Sequence, residues 1–174
     1  ETEGNPDIMD RLEKDLIRIQ QALAEAAKSV SAFTPGRIAA EKKAGGDPVT
    51  AADLAVDRVL KEMLLGSGEG WLSEETVDNP DRLDKERVWI VDPIDGTREF
   101  VEGIPEWCIS VGLVVNGRPV AGGILNPPAG QLFLGTVEAG VTLNGTPARA
   151  TDKTTLAGAR VLASRSEIRK GLWK

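Results

Sequence analysis

The stretch WIVDPIDGTREF at residues 89–100 holds the most informative pattern in the chain. An apolar run leads directly into two aspartates that are separated by a proline and an isoleucine, and a Gly-Thr pair follows. Two carboxylates this close repel each other, and Asp and Pro both disfavour continuation of a strand. Two explanations are open: a turn that closes a strand, or a cation that neutralises both carboxylates.

The composition limits the classes of function that are open to this chain of 174 residues. Its formal net charge of −6 argues against sequence-independent binding to a nucleic-acid polymer, because such binding needs a basic surface. A small phosphorylated ligand stays compatible with this charge, since a bound cation reverses the local sign. The chain has no histidine, which excludes Ser-His and Cys-His catalysis and His-ligated zinc. Any catalysis must therefore use carboxylates, hydroxyls, backbone groups and hard cations.

The sequence also carries indications of location. No apolar run reaches the length of a membrane span, so no membrane association is expected. The single cysteine, Cys108, excludes an intrachain disulfide and suits a reducing compartment. We interpret it as a small buried hydrophobic residue. A cytoplasmic location is the expectation that follows.

Two helices are predicted in the first half of the chain. Over residues 8–31, apolar side chains recur at spacings of three and four, as in an amphipathic helix. Thr50 and Asp53 form a capping-box pattern that predicts a second helix, with apolar positions that continue to Leu64. Between the helices, the glycine-containing segment 41–47 predicts a mobile loop.

The second half has the pattern of a mostly antiparallel sheet. Asn116-Gly117 between two apolar runs predicts a hairpin, and Asn144-Gly145 predicts a further turn. The other predicted elements are strands at 71–73, 88–91, 131–137, 140–143 and 160–163, and a terminal helix capped by Ser164 or Ser166. The predicted fold is therefore α+β, a layered sandwich with two N-terminal helices packed on the sheet, in a single domain over residues 1–174.

The two aspartates of the opening stretch fit the preferences of a hard cation. Mg²⁺ prefers oxygen ligands and usually takes one or two carboxylates together with waters and substrate phosphate. A proline bend between Asp92 and Asp95 would turn both side chains inward and expose the Ile94 carbonyl as a further ligand. Glu74 and Glu75 follow another predicted strand, and carboxylates at the ends of neighbouring strands can converge on one point.

Gly96 and Thr97 add a place for an anion. Glycine permits a close backbone approach, and a helix that starts at Thr97 would present unpaired N–H groups. Cation-binding acids that lead into such a helix start are the parts that hydrolysis of a phosphate ester needs. Simpler explanations stay open, since Asp53 fits a capping residue, Glu75 fits a solvated surface residue, and acids near turns are commonly turn formers.

The string DPIDGT after an apolar strand resembles the signature of the inositol monophosphatase superfamily, the lithium-sensitive, magnesium-dependent phosphomonoesterases. Three further stretches agree with it in order and spacing: PVTAAD at 48–53, SEET at 73–76 and GGILNP at 122–127. The resemblance runs from the first helix to Ser164. It implies that this chain is the N-terminal metal- and phosphate-binding domain, and that the family's C-terminal αβ domain is absent.

The resemblance also implies a set of metal ligands. Glu74, Asp92 and the Ile94 carbonyl would hold a first Mg²⁺. Asp92 would bridge to a second ion that is also held by Asp95. A third, weaker ion would lie near Glu74 and Glu75, so two or three Mg²⁺ ions are expected.

Catalytic roles follow from the same resemblance. Thr97, hydrogen-bonded to Asp53, would orient the attacking water and help to deprotonate it, while Glu74 would hold the ion that activates this water. The backbone N–H groups of Gly96 and Thr97 would receive the phosphate. These assignments imply hydrolysis of a small-molecule phosphate ester. An inactive, metal-binding interaction module is the alternative.

The substrate is indicated by residues after the signature. GTREF at 96–100 is close to the GTKEF pattern of the 3′(2′),5′-bisphosphate nucleotidases, whereas GIPEW at 103–107 resembles the inositol type. A 3′-phosphoadenosine 5′-phosphate-like nucleotide is the first expectation, and inositol monophosphate follows closely. Family members are commonly dimers, so a homodimer is a state to expect.

Overall fold

Helices cover one face of a seven-stranded sheet. The computed structural model describes residues 6–42 and 48–173. The elements in this part of the chain are α1 (Pro6–Val30), β1 (Ala40–Lys42), β2 (Pro48–Thr50), α2 (Ala51–Leu64), β3 (Gly70–Ser73), a 3-10 helix (Pro80–Asp84), β4 (Arg87–Asp95), α3 (Thr97–Glu102), β5 (Cys108–Val115), β6 (Arg118–Asn126), β7 (Gln131–Thr136), β8 (Gly140–Leu143), β9 (Thr146–Ala148) and α4 (Arg165–Arg169).

The large sheet is a meander in chain order. Strands β3 to β9 lie side by side in the order of the sequence, and β1 and β2 form a separate antiparallel hairpin. Only one neighbouring pair in the large sheet, β3 and β4, is parallel; the other pairs are antiparallel. The predicted mostly antiparallel sheet is thereby confirmed, and its parallel edge pair sets the position of the site.

The two long helices supply the layer above the sheet. They pack against each other, with α1 over β5, β6 and β7, and α2 over β4. Of the predicted stripe on α1, Leu12, Ile19, Leu23 and Ala26 are buried. The sheet meets them with alternating apolar side chains, among which Trp89 is fully buried. The predicted α+β sandwich is confirmed, with its core between helices and sheet.

A buried ionic network pins the start of β4 to this layer. The Arg87 guanidinium donates to Glu69 Oε1 at 2.8 Å and to Asp15 Oδ1 at 2.7 Å. The second oxygen of Glu69 accepts from the Trp89 indole at 2.8 Å and from the Gly66 amide at 2.8 Å. Both the Glu69 and Arg87 side chains are 11% exposed. Burial raises the pKa of Glu69. The hydrogen bonds from Arg87, Trp89 and Gly66 together lower it by more than burial raises it, so the net shift of the pKa is downward.

Local turn and cap signals match the structure closely. Asn116 and Asn144 have positive φ angles of 50° and 48°, as the hairpin turns predicted at both Asn-Gly pairs require. Ser164 caps α4, since its hydroxyl accepts from the Glu167 amide at 3.1 Å and its amide donates to the Glu167 carboxylate at 2.7 Å. This pair is a capping box. The terminal helix predicted after Ser164 is confirmed.

Two local predictions differ from the structure. The strand predicted at 160–163 does not form: no described strand lies beside it, and Val161 and Leu162 are 57% and 99% exposed. An apolar run by itself supplies no hydrogen-bonding partner. In the predicted loop 41–47, residues 41 and 42 belong to β1, and residues 43–47 lie outside the described residues. No helix within 6–42 and 48–173 is long and apolar enough to cross a bilayer.

Candidate functional site

The parallel pairing of β3 and β4 brings two acidic segments to one edge of the sheet. Ser73, the last residue of β3, is paired with Val91 of β4. The next residues along the two chains are therefore neighbours, and these are Glu74 and Asp92. The charge of Glu74 is accordingly among the causes that raise the pKa of Asp92. The convergence that the sequence predicts for these carboxylates follows from one parallel pair.

An irregularity in β4 explains how Asp92 and Asp95 reach the same side. Asp92 is paired with Ser110 and Asp95 with Cys108, so three steps along β4 correspond to two steps along β5. In a regular strand, residues three apart point to opposite faces. The extra residue cancels this alternation, as in a β-bulge. The register shift falls at Pro93 and Ile94, the place where the sequence predicts a bend.

Asp92 carries an unfavourable charge in the structure as it stands. Burial, the nearby Glu74 and Asp95 carboxylates, a hydrogen bond with Glu74 and the charge of Glu75 raise the pKa of Asp92 to about 7. Its Oδ1 atom is buried and has no hydrogen-bond partner among the described residues. An unpartnered buried oxygen among carboxylates is the environment that a divalent cation would stabilise. The residues present therefore fit Mg²⁺.

The carboxylates of Glu74, Asp92 and Asp95 lie at the wall of a cavity. Within 6–42 and 48–173, no three His, Cys, Asp or Glu side chains come together closely enough to hold a metal ion. Mg²⁺ usually takes only one or two carboxylates, keeps several waters and takes substrate phosphate as a ligand, so a pair of carboxylates is sufficient for it. A cavity of about 530 Å³ lies over these groups. The predicted site residues that line it are Glu74, Asp92, Ile94, Asp95, Gly96 and Thr97. Glu75 does not line it.

Thr97 is joined to Asp53 behind the cavity. The Thr97 hydroxyl lies 3.0 Å from Asp53 Oδ1 and 3.0 Å from the Ile94 carbonyl oxygen. The other Asp53 oxygen accepts from the Thr50 amide at 2.8 Å and from the Thr50 hydroxyl at 2.6 Å. Asp53 is fully buried. It therefore completes the capping box of α2, whose N-cap is Thr50, and also accepts a hydrogen bond from Thr97.

Gly96 makes the turn between β4 and α3. Its φ of 99° lies in the left-handed region that favours glycine. A Cβ at this position would lie 2.8 Å from the carbonyl oxygen of Glu106. The first turn of α3 is held from below by Phe100, which is fully buried and meets Trp107 edge to face at 5.0 Å between ring centroids. Phe100, the last residue of the stretch 89–100, is thus a core residue.

The structure adds two residues to the cavity wall, Cys108 and Arg165, whose places there the sequence did not predict. Cys108 is half-buried, and its Sγ lies 3.9 Å from Asp95 Oδ2; burial first, and then Asp95 and Asp92, raise the pKa of its thiol to about 11. Its place beside Asp95 follows from the antiparallel register, which the sequence does not show. Arg165 also lines the cavity and holds Glu106 through two hydrogen bonds of 2.6 and 2.7 Å. These partners are 59 residues apart, and no sequence signal links them.

The fold and the site together define a class of protein, a layered α+β domain with an open carboxylate site beside a hydroxyl–carboxylate pair. The model of the inositol monophosphatase family matches residues 9–172, and the chain belongs to this family. It is 35% identical over 117 residues to an inositol monophosphatase of Mesembryanthemum crystallinum, covering 65% of this chain and 43% of the relative.

Two further comparisons agree with this assignment. The inositol-1-monophosphatase ImpA of Mycolicibacterium smegmatis is 34% identical over 152 residues, which are 83% of this chain and 54% of that protein. The solved structure of an IMPase from Thermotoga maritima superposes with a TM-score of 0.70 at 28% identity, covering 84% of this chain and 56% of that one. The chain spans about half the length of the relatives it matches.

Proposed function

We propose that this chain provides the metal- and phosphate-binding domain of a Mg²⁺-dependent phosphomonoesterase that hydrolyses a small phosphorylated metabolite. The observation that carries the proposal is the unpartnered, buried oxygen of Asp92 beside the Glu74 and Asp95 carboxylates. Membership of the inositol monophosphatase family supports it. The alternative is a metal-binding interaction module without catalysis.

The cation would be held by groups that line the cavity. We propose Glu74, Asp92 and the Ile94 carbonyl for one ion, and Asp92 with Asp95 for a second, with a weaker third ion near Glu74 and Glu75. Bound Mg²⁺ would neutralise the phosphate ester and lower the pKa of a water molecule. The cavity over these groups leaves room for that water and for substrate oxygens.

The Thr97–Asp53 pair would handle the proton of the attacking water. A threonine hydroxyl has one hydrogen, so when Thr97 donates it to Asp53 Oδ1 rather than to the Ile94 carbonyl, its oxygen remains able to accept a hydrogen bond at the cavity wall. A water held there gives its proton towards this pair as its oxygen attacks phosphorus. The bond from phosphorus to the ester oxygen breaks, its electron pair goes to the leaving oxygen, and that oxygen takes a proton from solvent to leave as the alcohol. The Thr50 groups on the other Asp53 oxygen fix the orientation of the carboxylate.

The start of α3 would bind the phosphate. The first N–H groups of a helix have no partner within the helix. Gly96 and Thr97 lie at this start and line the cavity. With φ of 99° and no Cβ, Gly96 lets the phosphate approach the backbone closely. We propose that the N–H groups of these two residues hydrogen-bond to the phosphate oxygens.

The substrate class is a phosphate ester of a nucleotide or of inositol. GTREF favours a 3′-phosphoadenosine 5′-phosphate-like nucleotide, and its Arg98 and Glu99 line the cavity. Inositol monophosphate is the second candidate substrate, since the relatives from Mesembryanthemum and Mycolicibacterium are named inositol monophosphatases. Both substrates are small and anionic, and both need a cation to offset the acidic cavity.

The proposal is tested by release of inorganic phosphate. The protein is incubated with 3′-phosphoadenosine 5′-phosphate, inositol 1-phosphate or an unphosphorylated control, with and without Mg²⁺. We expect release that depends on Mg²⁺ and is lost in Asp92→Asn. Mg²⁺ binding by titration calorimetry without release from either ester would favour the non-catalytic module. Absence of both binding and release would overturn the proposal.

A further inference from the structure

The turn that carries Glu74 is bracketed by two hydroxyls that share one carboxylate. The Ser73 hydroxyl donates to Asp57 Oδ1 at 2.5 Å, and the Thr76 hydroxyl donates to Asp57 Oδ2 at 2.9 Å. The Glu75 amide in turn donates to the Ser73 hydroxyl oxygen at 3.2 Å. The residues before and after the two glutamates are thus fixed to a single side chain.

Asp57 acts from a rigid element. It lies in the second turn of α2, four residues after Asp53, so the two carboxylates project from the same face of that helix. Asp53 contacts Thr97 at the start of α3, whereas Asp57 contacts the turn after β3. The helix therefore holds both sides of the cavity in a fixed relation through two neighbouring side chains.

The ordering of this turn matters because Glu74 is exposed. Its side chain lies at the surface, where long carboxylate side chains sample several rotamers. A backbone fixed on both sides of Glu74 limits these states to those near Asp92. Groups that orient metal ligands change metal affinity by about 10–100-fold when they are removed.

We propose that Asp57 is a positioning residue of the Mg²⁺ site, which it orders through Ser73 and Thr76 without contacting the ion. This inference rests on the proposed function, since it takes the Glu74 carboxylate as a ligand. It predicts that the hydroxyls of Ser73 and Thr76 matter for the metal, although neither is among the expected ligands.

The test compares Mg²⁺ affinity among variants of the full chain by titration calorimetry. Asp57→Asn removes one of the two acceptors, and Thr76→Val removes one donor while it keeps the shape of the side chain. Glu62→Gln is the matched control, because it removes an exposed carboxylate from the same helix. We expect about tenfold or greater weakening in Asp57→Asn, a smaller loss in Thr76→Val, and no change in the control.

A second measurement follows the turn without any metal. The Glu75 amide should exchange its hydrogen faster in Asp57→Asn and in Ser73→Ala than in the wild type, while the melting temperature reports on the whole fold. Where Asp57→Asn fails to fold, Thr76→Val and Ser73→Ala decide: weaker Mg²⁺ binding by folded protein supports the inference.

Two results would contradict the inference, and they differ in what they imply for the proposed function. Mg²⁺ affinity within about twofold of wild type in every folded variant of Asp57, Ser73 and Thr76 would overturn the positioning role and leave the proposed function standing. Wild-type protein that binds no Mg²⁺ would overturn the proposed function, and the metal role of Asp57 with it.

Discussion

The Thr97 hydroxyl lies 3.0 Å from the Asp53 carboxylate, although the two residues are 44 positions apart. Two elements meet in this contact, because Asp53 belongs to the capping box of α2 and Thr97 begins α3. A buried carboxylate needs hydrogen-bond donors, and Thr50 and Thr97 supply them. The contact is thus structurally required, whatever chemistry it also serves.

Removal of the Thr97 hydroxyl tests its proposed chemical role. Thr97→Val keeps the shape of the side chain, and we expect Mg²⁺-dependent phosphate release to fall by about 10²–10⁴-fold, the usual contribution of a group that transfers a proton. Thr97→Ser keeps the hydroxyl and should retain most of the activity. Initial rates with circular dichroism as a check on folding measure this, and unchanged rates in Thr97→Val would refute the role.

Asp92→Asn should separate metal binding from stability. The neutral amide removes repulsion from Glu74 and Asp95, so the metal-free variant should melt about 2–4 °C higher, equivalent to about 1 kcal/mol, and should bind Mg²⁺ far more weakly. The exposed Asp84→Asn is the control for loss of one charge. Calorimetry measures both effects. A melting temperature below that of the wild type for metal-free Asp92→Asn protein would contradict the repulsion.

Gly96→Ala tests the turn into α3. Gly117 is a matched control, since its φ of 74° is also positive but a Cβ there would meet nothing within 4 Å. We expect Gly117→Ala to cost about 1–2 kcal/mol through the backbone alone. At Gly96, contact with the Glu106 carbonyl should add about 1–3 kcal/mol. Urea unfolding gives both values, and equal losses would show that the close approach is relieved at no cost.

The Glu69 network predicts a defined dependence of stability on pH. Because the folded-state pKa of Glu69 lies below its ordinary value of 4.5, its contribution is fully present above that value and is lost as pH falls through the folded pKa. Glu69→Gln should cost about 1–3 kcal/mol at neutral pH. The difference from wild type should shrink as pH falls from about 5 towards about 3, as followed by urea unfolding. A constant difference over this range would rule out the ionic contribution.

Much of the fold was predictable because its signals are local. The turn at Asn116-Gly117, the cap at Thr50 and the apolar stripe of α1 each depend on neighbouring residues in the sequence. The parallel pairing of β3 with β4 was not predictable, since nothing in residues 70–73 specifies the direction of a partner. The strand prediction at 160–163 is wrong for a related reason: its residue types favour a strand, but pairing depends on a neighbour.

The site was predictable to a similar degree. DPIDGT placed Asp92, Asp95, Gly96 and Thr97 together because six consecutive residues cannot separate far. The partnership of Cys108 with Asp95 depends on a register that only the folded sheet defines. The position of Asp57, four residues after Asp53, was in principle readable as a shared helix face. Its partners in the turn after β3 were not.

The extra residue in β4 makes the spacing between Asp92 and Asp95 a structural requirement. The number of residues between Asp92 and Asp95 matters separately from their types, since three steps in β4 correspond to two in β5. Deletion of Pro93 would leave both aspartates in the sequence and restore regular alternation at a spacing of two, with a straightened backbone that no longer offers the Ile94 carbonyl beside Thr97. Mutational libraries that vary residue types at fixed length would never detect this requirement, whereas a single-codon deletion would.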